Sequence, residues 1–326
     1  MIQYQKTKVT EVIAMRYSDI FEKKSSRILL GTAYFDDGIS KEDAFKIMDK
    51  FRDMGGTHID TARLYADGRA EAVVGEWASK RNASEMHIST KGGYPHADTP
   101  DKVRISESEI RGDLEESLKA LGVDSIGFYW LHRDDESIPA GEIIEMMNSL
   151  IKEGRIRAFG ASNWTTARID EAQKYANEHN LSGFTASQIR FNPAYNVTER
   201  SGLVGMDPTE FAYYEKNNMP VVAYSSQAKG FFSKLAEKGE EALSEKAKIR
   251  YMCDLNIQKT EILKAMSQKY NCSVAALICG AFCSFDAPEV FPVIGSRNIE
   301  QLTDSLNGAD IRLTDDEIKA VFAGVI

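Results

Sequence analysis

The stretch His58-Ile59-Asp60-Thr61-Ala62-Arg63-Leu64-Tyr65-Ala66-Asp67-Gly68 decides how the rest of this chain is interpreted. A short run bounded by apolar residues ends in Asp60, and Tyr65 follows five residues later. Taken singly, Asp60 could cap the next helix and Tyr65 could be one more core aromatic. The same event recurs downstream, because later apolar runs also end in polar residues of chemically useful kinds. This recurrence favours a shared site over isolated structural roles.

The polar residues at the ends of these runs predict a barrel. In chain order they are Lys91, His132, Ser162-Asn163, Gln188, Tyr224-Ser225 and Gly295-Ser296-Arg297. Short buried strands separated by helix-length segments are typical of a parallel sheet. In a barrel of eight such units the carboxyl ends of all strands meet on one face, where active sites lie. We therefore expect residues scattered from 60 to 297 to line one pocket.

Four of these residues carry a family resemblance. In chain order, each just after its strand, they are Asp60, Tyr65, Lys91 and His132. They resemble the catalytic tetrad of the aldo-keto reductases, and the resemblance extends from about Leu30 to about Leu306. It implies an α/β fold, a single (β/α)8 TIM barrel over residues 1–326, with extra N-terminal strands that close the bottom of the barrel and a C-terminal helix. Residues 1–26 are poorly patterned, so their sequence alone would also allow a tail.

The resemblance also implies a reaction, the reduction of an aldehyde or ketone to an alcohol by hydride transfer. A free tyrosine has a pKa near 10, and an adjacent lysine ammonium stabilises the phenolate and lowers that pKa. Tyr65 would be the general acid, with Lys91 beside it and Asp60 holding Lys91 charged. His132 would donate to the carbonyl oxygen or help to relay the proton. The structural alternative is a buried Asp–Lys pair with two polar groups of the core.

A nicotinamide dinucleotide is the expected cofactor. No Gly-x-Gly-x-x-Gly motif follows a strand, so the barrel itself would have to bind the dinucleotide. The resemblance implies that Tyr224 stacks on the nicotinamide and that Ser162, Asn163 and Gln188 bind its carboxamide. Barrels commonly bind phosphate after the last strand, at a helix N-terminus. The candidate cofactor contacts are Gly31, Thr32, Ser162, Asn163, Gln188, Tyr224, Ser225, Gly295, Ser296, Arg297 and Gln301.

Residues after the last predicted strand favour NADP(H) over NAD(H). A guanidinium such as that of Arg297 offers the 2′-phosphate a planar fork of donors. Gln301, however, stands where many relatives place an arginine against the adenosine phosphate, and Asp304 nearby could favour the ribose hydroxyl of NAD(H). NADP(H) is therefore the expected cofactor, and use of NAD(H) stays open.

Two departures from the family pattern concern the substrate. Arg133 follows His132 at a position where many carbonyl-reducing relatives carry an aromatic residue. The chain also stops at Ile326, soon after its last predicted helix, without the longer C-terminal substrate loop of some relatives. Both departures predict an open and polar pocket, suited to sugar-like or bulky carbonyls.

Composition limits the classes of partner. The 326 residues include 40 basic and 49 acidic side chains, and the net charge of −9 disfavours nucleic acid or an anionic membrane. No apolar run approaches the roughly 18 residues of a membrane span, and no signal peptide is visible. The four cysteines are typical of small hydrophobes in a reducing compartment. We expect a soluble cytoplasmic protein that binds a small carbonyl or alcohol substrate; nothing in the sequence indicates the oligomeric state.

Three other classes of protein stay open. A metal-dependent barrel hydrolase is the first, although it leaves Tyr65 and Lys91 idle and we predict no metal. The second is an aldolase that forms a Schiff base on Lys91. The third is a non-catalytic cofactor-sensing subunit of a larger assembly. The ligands available to the hydrolase are His58, Asp60, His132, Asp134 and Asp135.

Local patterns predict individual helices. Ser40 followed by Asp43, and Thr314 followed by Glu317, predict capped helix starts. Apolar spacing predicts further helices, among them residues 105–121, 259–270, 274–285 and 299–306.

Two segments, residues 190–206 and 227–258, are predicted to be long loops on the carboxyl face that serve binding. Part of the second, residues 234–248, is predicted to be a helix. By resemblance, Lys229 and residues 230–232 are candidates to cover the cofactor pyrophosphate.

Overall fold

The computed structural model describes residues 15–21, 24–96, 98–100, 102–198 and 202–326. Eight parallel strands close into a barrel, each hydrogen-bonded to the next in chain order and the last to the first. They are β3 (Leu29–Gly31), β4 (His58–Asp60), β5 (His87–Gly92), β6 (Ile126–Leu131), β7 (Ile156–Ser162), β8 (Ser187–Arg190), β9 (Val221–Tyr224) and β10 (Val290–Ile294). The predicted (β/α)8 fold is confirmed. Gln188 was expected at the end of its strand, but it lies within β8, where Ser187 pairs with Ala161 and Gln188 with Ser162.

A two-stranded antiparallel hairpin precedes the barrel. It consists of β1 (Tyr17–Ser18) and β2 (Ser25–Ser26), so extra N-terminal strands are confirmed. Residues 1–14 of the segment predicted to cover the barrel lie outside the described residues. Between the strands, the ring of Phe21 meets His58, Phe128 and Phe291 edge-on, with centroids 4.7, 4.9 and 5.5 Å away. The hairpin therefore packs against the amino ends of the barrel strands.

Helices follow most of the strands and surround the barrel. Ser40 caps the first helix as predicted, since its hydroxyl accepts from Asp43 N at 3.1 Å. The predicted capping box at Thr314 and Glu317 is also present. The helices up to strand β9 are α1 (Lys41–Asp53), α2 (Arg69–Arg81), α3 (Glu107–Leu121), α4 (Ala140–Lys152), α5 (Thr166–Glu178) and α6 (Pro208–Asn217). None of the helices in the described part of the chain has the length and apolarity needed to cross a membrane.

The segment after β9 differs from the prediction of a long loop. Its helices, and those that complete the chain, are α7 (Phe231–Lys238), α8 (Glu245–Tyr251), α9 (Asp254–Lys269), α10 (Val274–Cys283), α11 (Ile299–Leu306) and α12 (Asp315–Phe322). The single helix predicted over residues 234–248 is wrong, because Gly239, at φ 76° and ψ −176°, ends α7. Helix α9 begins five residues before its predicted start at Lys259.

Apolar side chains from all round the sheet fill the interior of the barrel. They form one buried cluster: Phe21, Leu29, Phe128, Trp130, Ala186, Val222 and Phe291. Gly160 on β7 makes room for Trp130, since an added Cβ would lie 2.4 Å from the indole ring. The packed interior leaves the carboxyl ends of the strands as the place where polar side chains can gather.

Candidate active site

Lys91, near the carboxyl end of β5, stands at the centre of a buried polar cluster. Its side chain is fully buried, and its Nζ donates to Asp60 Oδ2 at 2.6 Å and to the Thr61 carbonyl at 2.6 Å. The same Nζ lies 3.5 Å from the Tyr65 hydroxyl and 5.0 Å from the centre of its ring. One ammonium group therefore joins the carboxylate of Asp60 to the phenol of Tyr65.

The second oxygen of the Asp60 carboxylate is also held by donors. Ser89 Oγ donates to Asp60 Oδ1 at 3.2 Å, and Gln188 Nε2 donates to the same oxygen at 3.1 Å. Strand register explains the first contact, because Asp60 on β4 lies opposite Ser89 on β5. Gln188, predicted as a contact of the cofactor carboxamide, thus uses its amide on Asp60 in this structure.

Tyr65 and His132 lie close together across the top of the barrel. Tyr65 opens a 3-10 turn, residues 65–68, in which Ala66 and Asp67 are left-handed. Its ring stands edge-on to the His132 imidazole, with centroids 6.3 Å apart. Since Lys91 contacts Tyr65 and Asp60, the structure brings all four residues of the predicted tetrad into one cluster.

Burial and charge act in opposite directions on Tyr65 and Lys91. Burial raises the pKa of Tyr65 above its usual value, and Lys91 counteracts this only in part. The sequence-based expectation of a lowered pKa is therefore wrong, because burial removes the water that would stabilise a phenolate. Burial also works to lower the pKa of Lys91, but Asp60 and Tyr65 outweigh it and raise that pKa.

His132 is held as a neutral imidazole. Burial, followed by the positive charges of Lys91 and Arg133, lowers its pKa well below the usual value. Its Nδ1 is buried and has no hydrogen-bond partner among the described residues. A neutral imidazole offers one N–H donor and one acceptor, so His132 can donate a hydrogen bond without carrying charge.

Asn163 connects three segments around the site. Its Nδ2 donates to the His132 carbonyl and to Ser162 Oγ, both at 3.2 Å. Its Oδ1 accepts from the Tyr224 hydroxyl at 2.7 Å and from Val204 N at 3.3 Å. The predicted carboxamide contacts Ser162 and Asn163 are thus buried next to His132 and joined to Tyr224.

Gly31 at the end of β3 and Thr32 directly after it also reach the site. Gly31 lies opposite Asp60 in the ladder, and an added Cβ would come within 2.8 Å of Val293 on the neighbouring strand. Thr32 is fully buried, and its N and Oγ1 donate to the Asp60 carbonyl at 3.1 and 3.2 Å. Both residues support the backbone of Asp60.

The predicted phosphate-binding residues lie together after β10. Asn298 caps α11, since its Oδ1 accepts from Gln301 N at 2.9 Å, and Gln301 Oε1 accepts from Arg297 N at 3.0 Å. The Arg297 guanidinium lies 5.0 Å from the centre of the Tyr34 ring. Ser296 is buried, whereas a Cβ added at Gly295 would meet only Tyr34, at 4.0 Å. Because β10 pairs with β3 and β9, these residues share the carboxyl face with the tetrad.

The turn after β9 has an unusual backbone. Ser225 is left-handed at φ 55°, and so are Ala228 and Lys229. Lys229 is exposed, but the Phe231 and Phe232 side chains are fully buried in the core. The two phenylalanine side chains therefore pack into the core, and coverage of a pyrophosphate by residues 230–232 stays a prediction.

Two residues beside His132 were not predicted to act together. The Tyr94 ring lies 4.8 Å from the His132 ring, and its hydroxyl accepts from Arg133 Nη2 at 3.0 Å. The Arg133 guanidinium covers the Tyr94 ring at 4.7 Å. A signal for Tyr94 was available, since it follows Lys91-Gly92-Gly93 directly after a strand. A cationic and aromatic wall thus stands next to the tetrad.

The ligands suggested for a metal-dependent hydrolase do not converge. Both ring nitrogens of His58 bond serine hydroxyls, and Asp134 pairs with Arg168 at 3.2 Å. In the portion of the chain that is described, no group of three or more His, Cys, Asp or Glu side chains is arranged to hold a metal ion. A surface cleft of about 340 Å³ between α5 and α6 includes none of the predicted site residues.

A parallel barrel with a Lys–Asp–Tyr–His cluster at its carboxyl end defines a class of barrel oxidoreductases, and comparison with known proteins identifies the family. The family model described as Aldo/keto reductase family matches residues 27–323. The chain therefore belongs to the aldo/keto reductase family and is an oxidoreductase.

Individual relatives match most of the length of this chain at a modest sequence identity. Norsolorinic acid reductase B of Dothistroma septosporum is 28% identical over 294 residues, covering 87% of this chain and 72% of the relative. The oxidoreductase YrpG of Bacillus subtilis, described as uncharacterized, is 28% identical over 306 residues, 90% of each chain. Two structures of an aldo/keto reductase from Klebsiella pneumoniae, one with NADP and acetate and one with NADPH, superpose with a TM-score of 0.69 at 23% identity over 94% of each chain.

Proposed function

We propose that the protein reduces an aldehyde or ketone to the alcohol with NADP(H), and that Tyr65 is the general acid. The observation that carries this proposal is the position of Lys91 Nζ, 2.6 Å from Asp60 Oδ2 and 3.5 Å from the Tyr65 hydroxyl in a buried cluster. Proton transfer to a carbonyl oxygen gives the Tyr65 hydroxyl a task, whereas a metal-dependent hydrolase would leave Tyr65 and Lys91 idle.

Each residue of the tetrad has a distinct task in this proposal. Tyr65 gives its proton to the substrate carbonyl oxygen as the bound cofactor supplies a hydride to the carbon. Lys91 stabilises the resulting phenolate, and Asp60 keeps Lys91 charged and oriented. The neutral His132 donates a hydrogen bond to the same carbonyl oxygen. A positioned general acid contributes roughly 10²–10⁴ to the rate.

NADP(H) is the cofactor that fits this end of the barrel. Tyr224 is half-buried beside Asn163. It would stack on the nicotinamide, with Ser162, Asn163 and Gln188 beside the carboxamide. Ser225 would face the phosphates. Arg297, whose guanidinium lies 5.0 Å from the centre of the Tyr34 ring, would bind the 2′-phosphate with Ser296, Gly295 and Gln301 around it. The Klebsiella enzyme binds NADP on the same fold, and NAD(H) would be the weaker cofactor.

The substrate would be a polar or bulky carbonyl, sugar-like compounds included. Arg133 and Tyr94 form one wall beside His132, and the guanidinium offers donors to substrate hydroxyls or other acceptors. A small apolar aldehyde would leave these donors without a partner, which costs free energy.

Substitution of the proposed acid tests the assignment directly. Tyr65→Phe keeps the ring and its packing but removes the hydroxyl, so it should lose at least ~10²-fold in kcat while still binding NADPH. Turnover is measured from the absorbance of NADPH with a panel of aldehydes, ketones, keto sugars and steroids. Binding is measured from the fluorescence of NADPH. Tyr17→Phe, which removes a hydroxyl bonded to the Gly55 carbonyl at the opposite end, is the matched control. Near-normal turnover by the Tyr65 variant would contradict the proposal.

The wider setting follows from the same observations. We infer that residues 1–326 form one domain, since the family match spans 27–323. We infer a cytoplasmic location, because the four cysteines are free and two of them are buried. A net charge of −9 supports a small molecule rather than nucleic acid or a membrane as the partner.

A further inference from the structure

A buried line of hydrogen bonds runs from the N-terminal hairpin to Asp60. Ser25 Oγ bonds His58 Nδ1 at 2.9 Å, His58 Nε2 bonds Ser89 Oγ at 2.9 Å, and Ser89 Oγ bonds Asp60 Oδ1 at 3.2 Å. The first three residues are fully buried and Asp60 is 2% exposed. The proposed reaction uses only the last residue of this line, so Ser25, His58 and Ser89 have no assigned role.

The Asp60 carboxylate at the end of the line determines which atom is the donor in each hydrogen bond. An ionised carboxylate only accepts, so Ser89 must donate its single proton to Asp60. Ser89 Oγ therefore accepts from His58, which requires the proton of the imidazole on Nε2. Burial, followed by the charges of His87 and Lys91, lowers the pKa of His58 well below its usual value, so the ring is neutral and Nδ1 accepts from Ser25.

Packing holds the His58 ring in this orientation. The ring of Phe21 meets it edge-on at 4.7 Å, and the ring of His87 lies 5.8 Å away. A cavity of about 150 Å³ adjoins His58 and Ser89 at the amino end of the barrel. Among the described residues, the titratable or charged groups near the line are His87, Lys91, Tyr65 and, lining the same cavity as His58 and Ser89, Arg157.

We propose that Ser89 and His58 are positioning residues, which hold the Asp60 carboxylate and draw its negative charge towards Oδ1, away from Lys91. This inference rests on the proposed function. Lys91 makes Tyr65 a stronger acid and Asp60 makes it a weaker one. A donor on Oδ1 weakens the effect of Asp60, so more of the positive field of Lys91 reaches the Tyr65 hydroxyl. Ser89 is one of two donors on Oδ1, the other being Gln188, and loss of the Ser89 donor should make Tyr65 a weaker acid.

The test is the pH dependence of alcohol oxidation by the enzyme with NADP⁺. In this direction the Tyr65 phenolate is the base, so kcat/KM for the alcohol rises as Tyr65 loses its proton. Ser89→Ala should move this rise to higher pH by about 0.5–1 unit, and lower kcat for carbonyl reduction by ~3- to 10-fold, because one pH unit corresponds to a tenfold change. The KM for NADPH should change little, since the hydrogen bonds of Ser89 Oγ run to His58 and Asp60.

A second buried serine provides the control. Ser187 on β8 is fully buried and bonds the Tyr214 hydroxyl at 2.9 Å. Ser187→Ala therefore loses a buried strand hydroxyl without touching Asp60. The inference expects a shifted profile for Ser89→Ala and an unshifted one for Ser187→Ala. Equal behaviour of the two variants would overturn it, because a merely structural hydroxyl would explain both.

Two substitutions of His58 test the next bond. His58→Phe keeps an aromatic ring against Phe21 but has no donor for Ser89, whereas His58→Gln retains an N–H that can reach it. We expect a shifted pH profile for the first and a profile close to wild type for the second. If neither variant shifts the profile, His58 plays no positioning role and this part is overturned. A wild-type protein that reduces no carbonyl contradicts the proposed function itself, whereas an unshifted Ser89→Ala in an active enzyme contradicts only this inference.

Discussion

The Lys91–Asp60 pair provides a prediction that separates stability from catalysis. Lys91→Met removes the ammonium and leaves the Asp60 carboxylate buried, with 3% of its side chain exposed. Removing one partner of a buried ion pair costs about 3–5 kcal/mol, because the remaining charge is uncompensated. We expect the lower end of this range, since Ser89 and Gln188 still donate to Asp60 Oδ1. A loss of about 3 kcal/mol corresponds to roughly 4 °C in Tm for a chain of 326 residues.

A second substitution should restore the stability without the activity. In the double variant Asp60→Asn/Lys91→Met no charge remains in the cluster, so we expect most of the lost stability to return. Turnover should stay at least ~10²-fold below wild type in both variants, because Tyr65 has lost the cation that stabilises its phenolate. Thermal unfolding measures the first quantity and NADPH oxidation the second. An unchanged Tm in Lys91→Met, or turnover regained by the double variant, would refute the reasoning.

Three further predictions concern the cofactor, the substrate and pH. Arg297→Ala should weaken NADPH binding by about 10- to 100-fold and leave NADH nearly unchanged; equal loss for both in fluorescence titrations would contradict the role of Arg297. In the carbonyl panel, sugars and other polar or bulky carbonyls should give the highest kcat/KM. If compact apolar aldehydes give the highest kcat/KM, the role of Arg133 in substrate preference is contradicted. Burial works to raise the pKa of Glu317, but bonds from Lys269, Thr314 and Tyr270 lower it to about 2. Its stabilising contribution should therefore be present above pH 4.5, its ordinary pKa, and be lost as the pH falls towards 2. In urea unfolding, Glu317→Gln should be less stable at neutral pH and less sensitive to acid; parallel acid profiles would exclude this role.

Features encoded by neighbouring residues could be predicted from the sequence. The caps at Ser40 and Thr314 and the bounds of α11 were predicted correctly, because a cap depends on three or four adjacent residues. The order of polar residues along the chain predicted one shared pocket, since parallel strands bring their carboxyl ends together, and the resemblance to the aldo-keto reductases singled out the four residues around Lys91.

Features that depend on distant contacts could not be predicted in this way. The contacts of His58 with Ser25 and Ser89 require the register of three strands, which no single strand specifies. The start of α9 was placed too late because the buried face of this helix includes Asn256 and Lys259. Carbonyl groups elsewhere in the chain accept from both side chains, so hydrophobic periodicity does not reveal that face.

Asn163 restricts how the loops around the pocket can be redesigned. Its backbone is left-handed at φ 59°, a conformation that glycine, asparagine and aspartate tolerate best. Among these three, only asparagine can both donate to the His132 carbonyl and accept from Tyr224. Glycine would abolish both contacts, and aspartate would abolish the donor. Engineering of new specificity should therefore vary the loops while this single position is kept.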